Sequence, residues 1–390
     1  MSDNRRKICI LHIAEAPGGV ERYLVTLLTK LKQNYSDVFE QILVCSEAYD
    51  REKFKDLVDE IECVREMQNA IQPVRDLKAI QKVRKLIKKF QPDIVYCHSS
   101  KAGAIGRIAN MGLKNGQGKH VYCIYNAHGW AFNMKGTSPK KLFAYVLIEK
   151  MLAPLADCIV CISEFEKKSA LDHGICYKNT AKLKVIYNGI DFTEYNSVHI
   201  IDRNQLGIPS DAFVVGTTGR LAKQKAPDVF VKAAAEIKKI IDNAYFVIVG
   251  DGALLEETEE LIHELGLENS FLITGWVNNP LDYIGNFDVA MLLSRWEGFG
   301  LVLPEYMITG KPIVATKVDA IPELIQDEVN GLLVDMDDFN GAADSVIRLK
   351  EDLELRSRLI ENGKRIVRER FDVERVGREH SELFRGITDV

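Results

Sequence analysis

Two doubly wound α/β domains are what this sequence predicts, and three observations carry the prediction. The chain has 390 residues, more than the ~250–300 at which a single core stops growing. Short runs that are apolar at nearly every position recur from end to end, as parallel strands buried on both faces require. Helical patterns between them supply the crossovers. A composition of 46% hydrophobic and 27% charged residues is that of a soluble globular protein and excludes a disordered one.

The strand candidates in the first half are 7–14 (KICILHIA), 40–46 (EQILVCS), 93–99 (DIVYCHS), 120–128 (HVYCIYNAH), 157–163 (DCIVCIS) and 184–189 (KVIYNG). In the second half they are 213–219 (FVVGTTG), 244–250 (AYFVIVG), 270–276 (SFLITGW), 288–294 (DVAMLLS), 311–316 (KPIVAT) and 331–335 (GLLVD). Residues 188–211, rich in Asn, Asp, Gly and Pro and without a clear period, form the expected linker. The first domain is placed at 1–190 and the second at 191–368.

The formal charge of −5 hides an asymmetry. Residues 1–190 carry 30 Lys+Arg and 20 Asp+Glu, or +10, which leaves 21 and 36, or −15, for the remainder. The first half therefore faces something anionic: nucleic acid, a phosphorylated substrate or an anionic membrane. Arg75 to Lys89 concentrates this charge, with seven basic residues against one acid, and Leu77, Ile80, Val83, Leu86 and Ile87 at helical spacing. This basic amphipathic helix suits docking on anionic lipid, or a solvated outer face whose apolar side packs on a sheet. The opening basic and apolar residues do not make a secretory signal, because His12 and Glu15 interrupt the run. No segment reaches the ~20 apolar residues that cross a bilayer. A cytoplasmic protein with peripheral membrane contact is expected.

All eight cysteines lie in the first half. Cys158, Cys161, His173 and Cys176 have a spacing worth testing as a zinc site. The first two sit in a strand-like run, where residues three apart point to opposite faces, so they are read as reduced core thiols.

Ligands of such sheets bind beyond the carboxyl ends of the strands. Gly18 and Gly19 follow the first strand and precede a helix, where backbone amides can approach an anion. After strand 213–219, GRLAKQK places Arg220 and Lys225 in a loop, two cations suited to a diphosphate. Gly250, in a GDG, also follows a strand. SRWEGFGLVLPE (294–305) then holds Glu297, the amides of Gly298, Phe299 and Gly300, and Glu305 in the first turn of a helix, where the dipole keeps it ionised to accept hydrogen bonds from a vicinal diol such as ribose. His98, ending a strand, is a further candidate, as is His12 after it; His120, His173, His199, His263 and His380 read as surface or structural. Lys101 is either an acceptor-phosphate ligand or a solvated lysine.

Taken together, GGVER, GRLAKQK, GDG and SRWEGFGLVLPE followed by GKPIVAT resemble the retaining nucleotide-sugar glycosyltransferases of family 4. The resemblance spans nearly the whole chain, and the two glutamates separated by seven residues are its most specific part. It implies the GT-B architecture, two Rossmann-like domains with a cleft between them, and a C-terminal helix over 369–390 crossing back to the first. HSSKAGAIGRIA and YNAHGWAF resemble a subset that extends lipid-diphosphate-linked sugars in bacterial surface polysaccharide or glycan assembly.

The resemblance implies a hexosyltransferase that uses a nucleoside-diphosphate sugar, UDP-linked, with retention. Arg220 and Lys225 then hold the donor diphosphate with Gly19 beside it, Glu305 the ribose, and Glu297 the sugar hydroxyls with the backbone of Phe299 and Gly300. His128 faces the transferred sugar and acceptor. Tyr306 departs from the small residue many members carry there. No metal or cofactor is expected, because fixed cations can stabilise the leaving diphosphate. The expected partners are a polyprenyl-diphosphate-linked acceptor and an anionic membrane at the inner face of the cell membrane, with no nucleic acid. The alternatives are a sugar-nucleotide epimerase, which needs no acceptor; a transferase acting on a soluble acceptor; a glycosidase using the two glutamates; and a binding protein without turnover.

Overall fold

Residues 6–68, 70–197 and 199–388 are described by the structure, a computed structural model. Its contacts divide the chain into two units. The first holds the residues up to Gly189 together with those from Val373 onward, and the second is Ile190–Asp372.

The first unit is built on β1 (Ile8–Ala14), β2 (Phe39–Cys45), β3 (Glu60–Cys63), β4 (Ile94–His98), β5 (Tyr122–Asn126), β6 (Cys158–Cys161) and β7 (Leu183–Val185). These pair in the order β3-β2-β1-β4-β5-β6-β7, every pair parallel. Its helices are α1 (Gly19–Tyr35), α2 (Pro73–Phe90), α3 (Ser100–Asn110), α4 (Pro139–Leu152) and α5 (Glu164–Asp172). The sheet is covered on both faces. One core gathers Ala79, Val83 and Ile87 of α2 with Ala102, Ile105 and Ala109 of α3. The other holds Leu24, Leu27, Leu28 and Leu31 of α1.

The second unit repeats the plan with β8 (Phe213–Thr218), β9 (Ala244–Val249), β10 (Phe271–Ile273), β11 (Val289–Leu292), β12 (Ile313–Thr316) and β13 (Leu332–Val334), in the parallel order β10-β9-β8-β11-β12-β13. Its helices are α6 (Pro227–Ile240), α7 (Leu255–Glu264), α8 (Leu281–Ile284), α9 (Val302–Ile308), α10 (Ile321–Leu324), α11 (Phe339–Glu351) and α12 (Leu353–Arg370). A last helix, α13 (Val373–Thr388), belongs to the first unit and packs on α1, with Val376 and Phe384 in the α1-side core.

The twelve expected strands form in order. β3 was not expected: its residues EIEC are short, half polar and lie at the sheet edge, so they carry no buried-strand pattern. Cys158 lies in the α1-side core and Cys161 in the α2-side core, so the two thiols cannot share a metal, and no metal-binding group occurs among the described residues. In α2 Val83 and Ile87 are buried and Ile80 and Leu86 pack against the same core, while Leu77 is exposed; Lys82 pairs with Glu66 at 2.7 Å and Lys89 with Glu62 at 2.6 Å. Two of the seven basic residues are thus paired with nearby acids. No described helix is long and apolar enough to cross a membrane.

In each sheet the connection reverses direction once, between β1 and β4 and between β8 and β11. The crevice outside the carboxyl ends of such diverging strands is where α/β sheets bind ligands, and the expected site residues cluster there.

Candidate active site

In the second unit the loop after β8 and the loop after β11 are tied together. Arg295 N–H donates to the Gln224 carbonyl at 2.8 Å, and Gln224 Nε2 donates to the Trp296 carbonyl at 3.0 Å. The Arg295 side chain adds ion pairs to Asp228 and Asp337, both at 2.7 Å. This clamp brings Lys225 Nζ onto Glu297 Oε1, which also accepts the Ser294 hydroxyl at 2.9 Å. Asp319, held at φ +48°, accepts the Glu297 backbone N–H at 3.0 Å. Glu297 is 6% exposed; Lys225 and Ser294 hold its carboxylate and Asp319 holds its backbone N–H.

Arg220 is exposed beside this pair in sequence. Gly250 has a structural reason to be glycine: a Cβ there would stand 2.1 Å from the Gly219 carbonyl oxygen. The GDG turn is stitched to the same loop, with Leu221 N–H on the Asp251 carbonyl at 2.9 Å and Leu254 N–H on the Leu221 carbonyl at 3.0 Å. Gly250 therefore shapes the loop that carries Arg220. Gly298 is half-buried, Phe299 packs edge-on against Phe371, and Gly300 adopts φ +81°, the region that favours glycine. Glu305 lies in the first turn of α9 and is 2% exposed. α9 has only seven residues, so it is braced from outside: the Tyr306 hydroxyl accepts Thr218 N–H at 2.8 Å and ties α9 to the end of β8.

In the first unit Gly18, at φ +91°, caps α1, and a Cβ at Gly18 or Gly19 would meet nothing within 4 Å. The backbone there is open to an anion. His98, at the end of β4, stands between two other histidines: His12 Nδ1 lies 3.2 Å from His98 Nε2, and His98 Nδ1 lies 3.1 Å from His128 Nε2. His128 sits at φ +52° in the loop after β5, its N–H on Asn126 Oδ1 at 3.0 Å, and its ring packs edge-on against Tyr23. Behind the row, the Tyr23 hydroxyl reaches His380 Nε2 of α13 at 2.8 Å, and His380 Nδ1–H donates to the Val376 carbonyl at 2.8 Å.

Burial holds these rings neutral. It lowers His12 and His128 to about 3 and His380 to about 4, and it pushes His98 well down. With each ring neutral, one nitrogen donates and the other accepts. His12 Nε2 is buried without a partner, and a bare acceptor costs less there than a bare donor. The assignment follows that His12 donates to His98 and His98 to His128, which leaves His128 Nδ1 carrying its proton.

Lys101, read as either an acceptor-phosphate ligand or a solvated lysine, is engaged with α2: it pairs with Asp76 at 2.8 Å and donates to the Ala70 carbonyl. Ser294, Asp319 and Tyr23 were not singled out from sequence: Asp319 and Tyr23 act through partners far away in the chain, and Ser294, three residues before Glu297, reads only as the end of a strand run. Glu15 was missed too. It is buried at the end of β1, accepts the Ser99 hydroxyl and Ala102 N–H, and has its carboxyl pushed up by burial.

Two parallel α/β sheets, with an open glycine turn at the first switch point and a loop carrying Arg220 and Lys225 at the second, define a two-Rossmann protein. Residues 17–194 match the family described as Glycosyltransferase Family 4, and residues 199–366 match Glycosyl transferases group 1. The chain is 28% identical over 361 residues, 90% of both chains, to the UDP-Gal:alpha-D-GlcNAc-diphosphoundecaprenol alpha-1,3-galactosyltransferase of Escherichia coli. It is 30% identical over 342 residues, 85% of this chain and 87% of the other, to an uncharacterized 41.2 kDa protein in the cps region of Klebsiella pneumoniae. Among solved structures, HepE of Anabaena in complex with UDP and glucose superposes with a TM-score of 0.77 at 22% identity, covering 96% of this chain and 98% of that one. Sucrose-phosphate synthase of Thermosynechococcus elongatus gives 0.83 at 19% identity, covering 98% and 100%. The chain belongs to glycosyltransferase family 4 and has the GT-B fold.

Proposed function

We propose that this glycosyltransferase moves a sugar from a UDP-sugar, with retention, to a hydroxyl of a polyprenyl-diphosphate-linked saccharide in bacterial surface polysaccharide assembly. The observation that carries it is the pre-set Lys225, Glu297 and Ser294 cluster at the β8 and β11 ends, followed within one turn of α9 by the buried Glu305. A cation, a fixed carboxylate and a second carboxylate suit a diphosphate, a sugar and a ribose in turn. The name of the Escherichia coli relative supports the UDP-sugar and the lipid diphosphate.

On this reading Glu305 accepts from the ribose hydroxyls, and Glu297 holds sugar hydroxyls and fixes the anomeric carbon. Arg220 and Lys225 stabilise the charge that develops on the leaving diphosphate, in place of a metal. The acceptor oxygen bonds to the anomeric carbon as the bond from that carbon to the diphosphate oxygen breaks. The acceptor's proton passes to the departing phosphate. His128, neutral and with Nδ1 protonated, acts as a hydrogen-bond donor to a sugar or acceptor oxygen rather than as a base. The acceptor is membrane-borne, so the enzyme works as a peripheral protein on the inner face of the cell membrane.

The test is a screen of UDP-sugars for UDP release, with and without polyprenyl-diphosphate-linked saccharides, followed by determination of the product's anomeric configuration. Acceptor-dependent release with retention is expected, undiminished by EDTA. Conversion of the UDP-sugar without acceptor, an inverted product, or loss of activity on chelation would each sink the corresponding part.

A further inference from the structure

α4 presents two apolar sides, and the protein covers only one. Tyr145 and Val146 pack inward against the α2-side core, and Glu149 is buried with Arg107. On the outer side Phe143 is 69% exposed and Met151 60%, with Leu147 and Ile148 exposed between them. Positions 143, 147 and 151, flanked by 144 and 148, form one stripe along the helix. A helix apolar all round is ordinarily buried in protein or in lipid.

The charges around the stripe select the occupant. Lys140, Lys141 and Lys150 are exposed, and they make no ion pair among the described residues. The one acid between residues 134 and 151 is Glu149, turned inward. In α2 the exposed apolar residues, Val74 and Leu77, are confined to the first turns, the middle and end of the helix pack on the core, and two of its lysines, Lys82 and Lys89, are paired with acids. An apolar stripe edged by unpaired lysines, with no exposed acid, matches the interface of an anionic bilayer, where acyl chains take the apolar side chains and headgroups the ammoniums. α4 also starts eleven residues beyond His128, in the same unit.

We infer that the outer face of α4 is the surface by which this protein lies on an anionic membrane, with Phe143, Leu147, Ile148 and Met151 inserted and the three lysines at the headgroups. The inference gives a place to the membrane contact of the proposed function and rests on that reading for its purpose, but its test needs no sugar or acceptor.

The full chain is sedimented with vesicles of phosphatidylglycerol and phosphatidylethanolamine, and separately with phosphatidylcholine vesicles. The wild type is expected to partition to the anionic vesicles and to remain in solution with phosphatidylcholine. The pair Phe143→Ser with Leu147→Ser, and separately Lys140→Glu with Lys141→Glu, are each expected to lower partitioning by about tenfold or more. Circular dichroism and UDP binding of both variants stay at wild-type values. Wild type that ignores anionic vesicles, or either folded variant partitioning like wild type, overturns the inference. So does a concentration-dependent dimer that Phe143→Ser with Leu147→Ser makes monomeric, since the stripe then holds a second copy. Transfer to a detergent-dispersed acceptor reports on the proposed function alone, so the two can fail separately.

Discussion

Lys225 and Glu297, 72 positions apart in sequence, form an ion pair on a carboxylate oxygen that also takes the Ser294 hydroxyl. One residue was expected on the diphosphate and the other on the sugar, and the pair joins those two tasks. Lys225→Ala is expected to weaken UDP binding by about tenfold or more, the scale of one charge-assisted hydrogen bond, while uridine binding hardly changes. Calorimetry with both ligands decides: equal losses would remove Lys225 from the diphosphate.

Glu297→Ala should act differently. Because Lys225 remains to meet the phosphates, UDP affinity should persist while turnover falls by about 100-fold or more, as when a preorganised electrostatic partner is removed. A parallel loss of UDP affinity would show that the carboxylate holds the nucleotide instead.

Glu305 and Tyr306 are neighbours with separate duties. Glu305→Ala is expected to weaken uridine and UDP alike. Tyr306→Phe leaves Thr218 N–H without its acceptor, which costs about 1–3 kcal/mol for a buried donor, read as a lower denaturation midpoint. Unchanged stability in Tyr306→Phe would mean that the hydroxyl does not brace α9.

The buried histidines set a pH dependence. Unfolded histidine takes up a proton near pH 6.5, whereas folded His12 and His128 do so only at about 3 and His380 at about 4, because burial disfavours the charged ring. Between these limits the unfolded chain binds more protons, so stability falls as pH falls, by up to about 1.4 kcal/mol per pH unit for each histidine. Urea titrations at pH 7 and pH 5 should show this loss, and it should be smaller in His380→Asn. Turnover, by contrast, should show no inflection from His128 between pH 5 and 8. An inflection near 6.5 that disappears in His128→Asn would count against a neutral donor.

Glu149 accepts from Arg107 at 2.9 Å and from the Tyr125 hydroxyl at 2.8 Å, joining α4 to α3 and β5. Glu149→Ala strands a buried guanidinium and is expected to cost about 3–5 kcal/mol. Replacing both partners with apolar residues should recover much of that. A mild single-variant effect in thermal unfolding would show the pair to be dispensable.

Much of this was legible beforehand. Buried parallel strands write themselves as continuous apolar runs, so twelve of them could be placed, while β3, polar and at an edge, could not. The positions of Glu297, Glu305, Arg220 and Lys225 beyond the ends of β8 and β11 were legible because each lies in the segment that follows a continuous apolar run. His98 was legible as a strand-end histidine. Its bonds to His12 and His128 were not, since they depend on which strands lie side by side: Ala14 sits opposite His98, and His98 opposite Asn126. The ion pair of Lys101 was not legible for the same reason, because Asp76 reaches it only once α2 packs on α3.

By itself the sequence determined two parallel α/β units and the loops that carry the charged and glycine-rich motifs, because burial pattern and turn chemistry are local. Only the tertiary structure decided which side chains share protons and charges: Lys225 with Glu297, His12 with His98 and His128, Tyr306 with Thr218. It alone decided that α4 keeps an apolar face uncovered and that Lys82 and Lys89 of α2 are paired with acids. Partners of this kind are selected by strand order and helix packing, and hydrogen bonds of about 3 Å depend on register that no local pattern encodes.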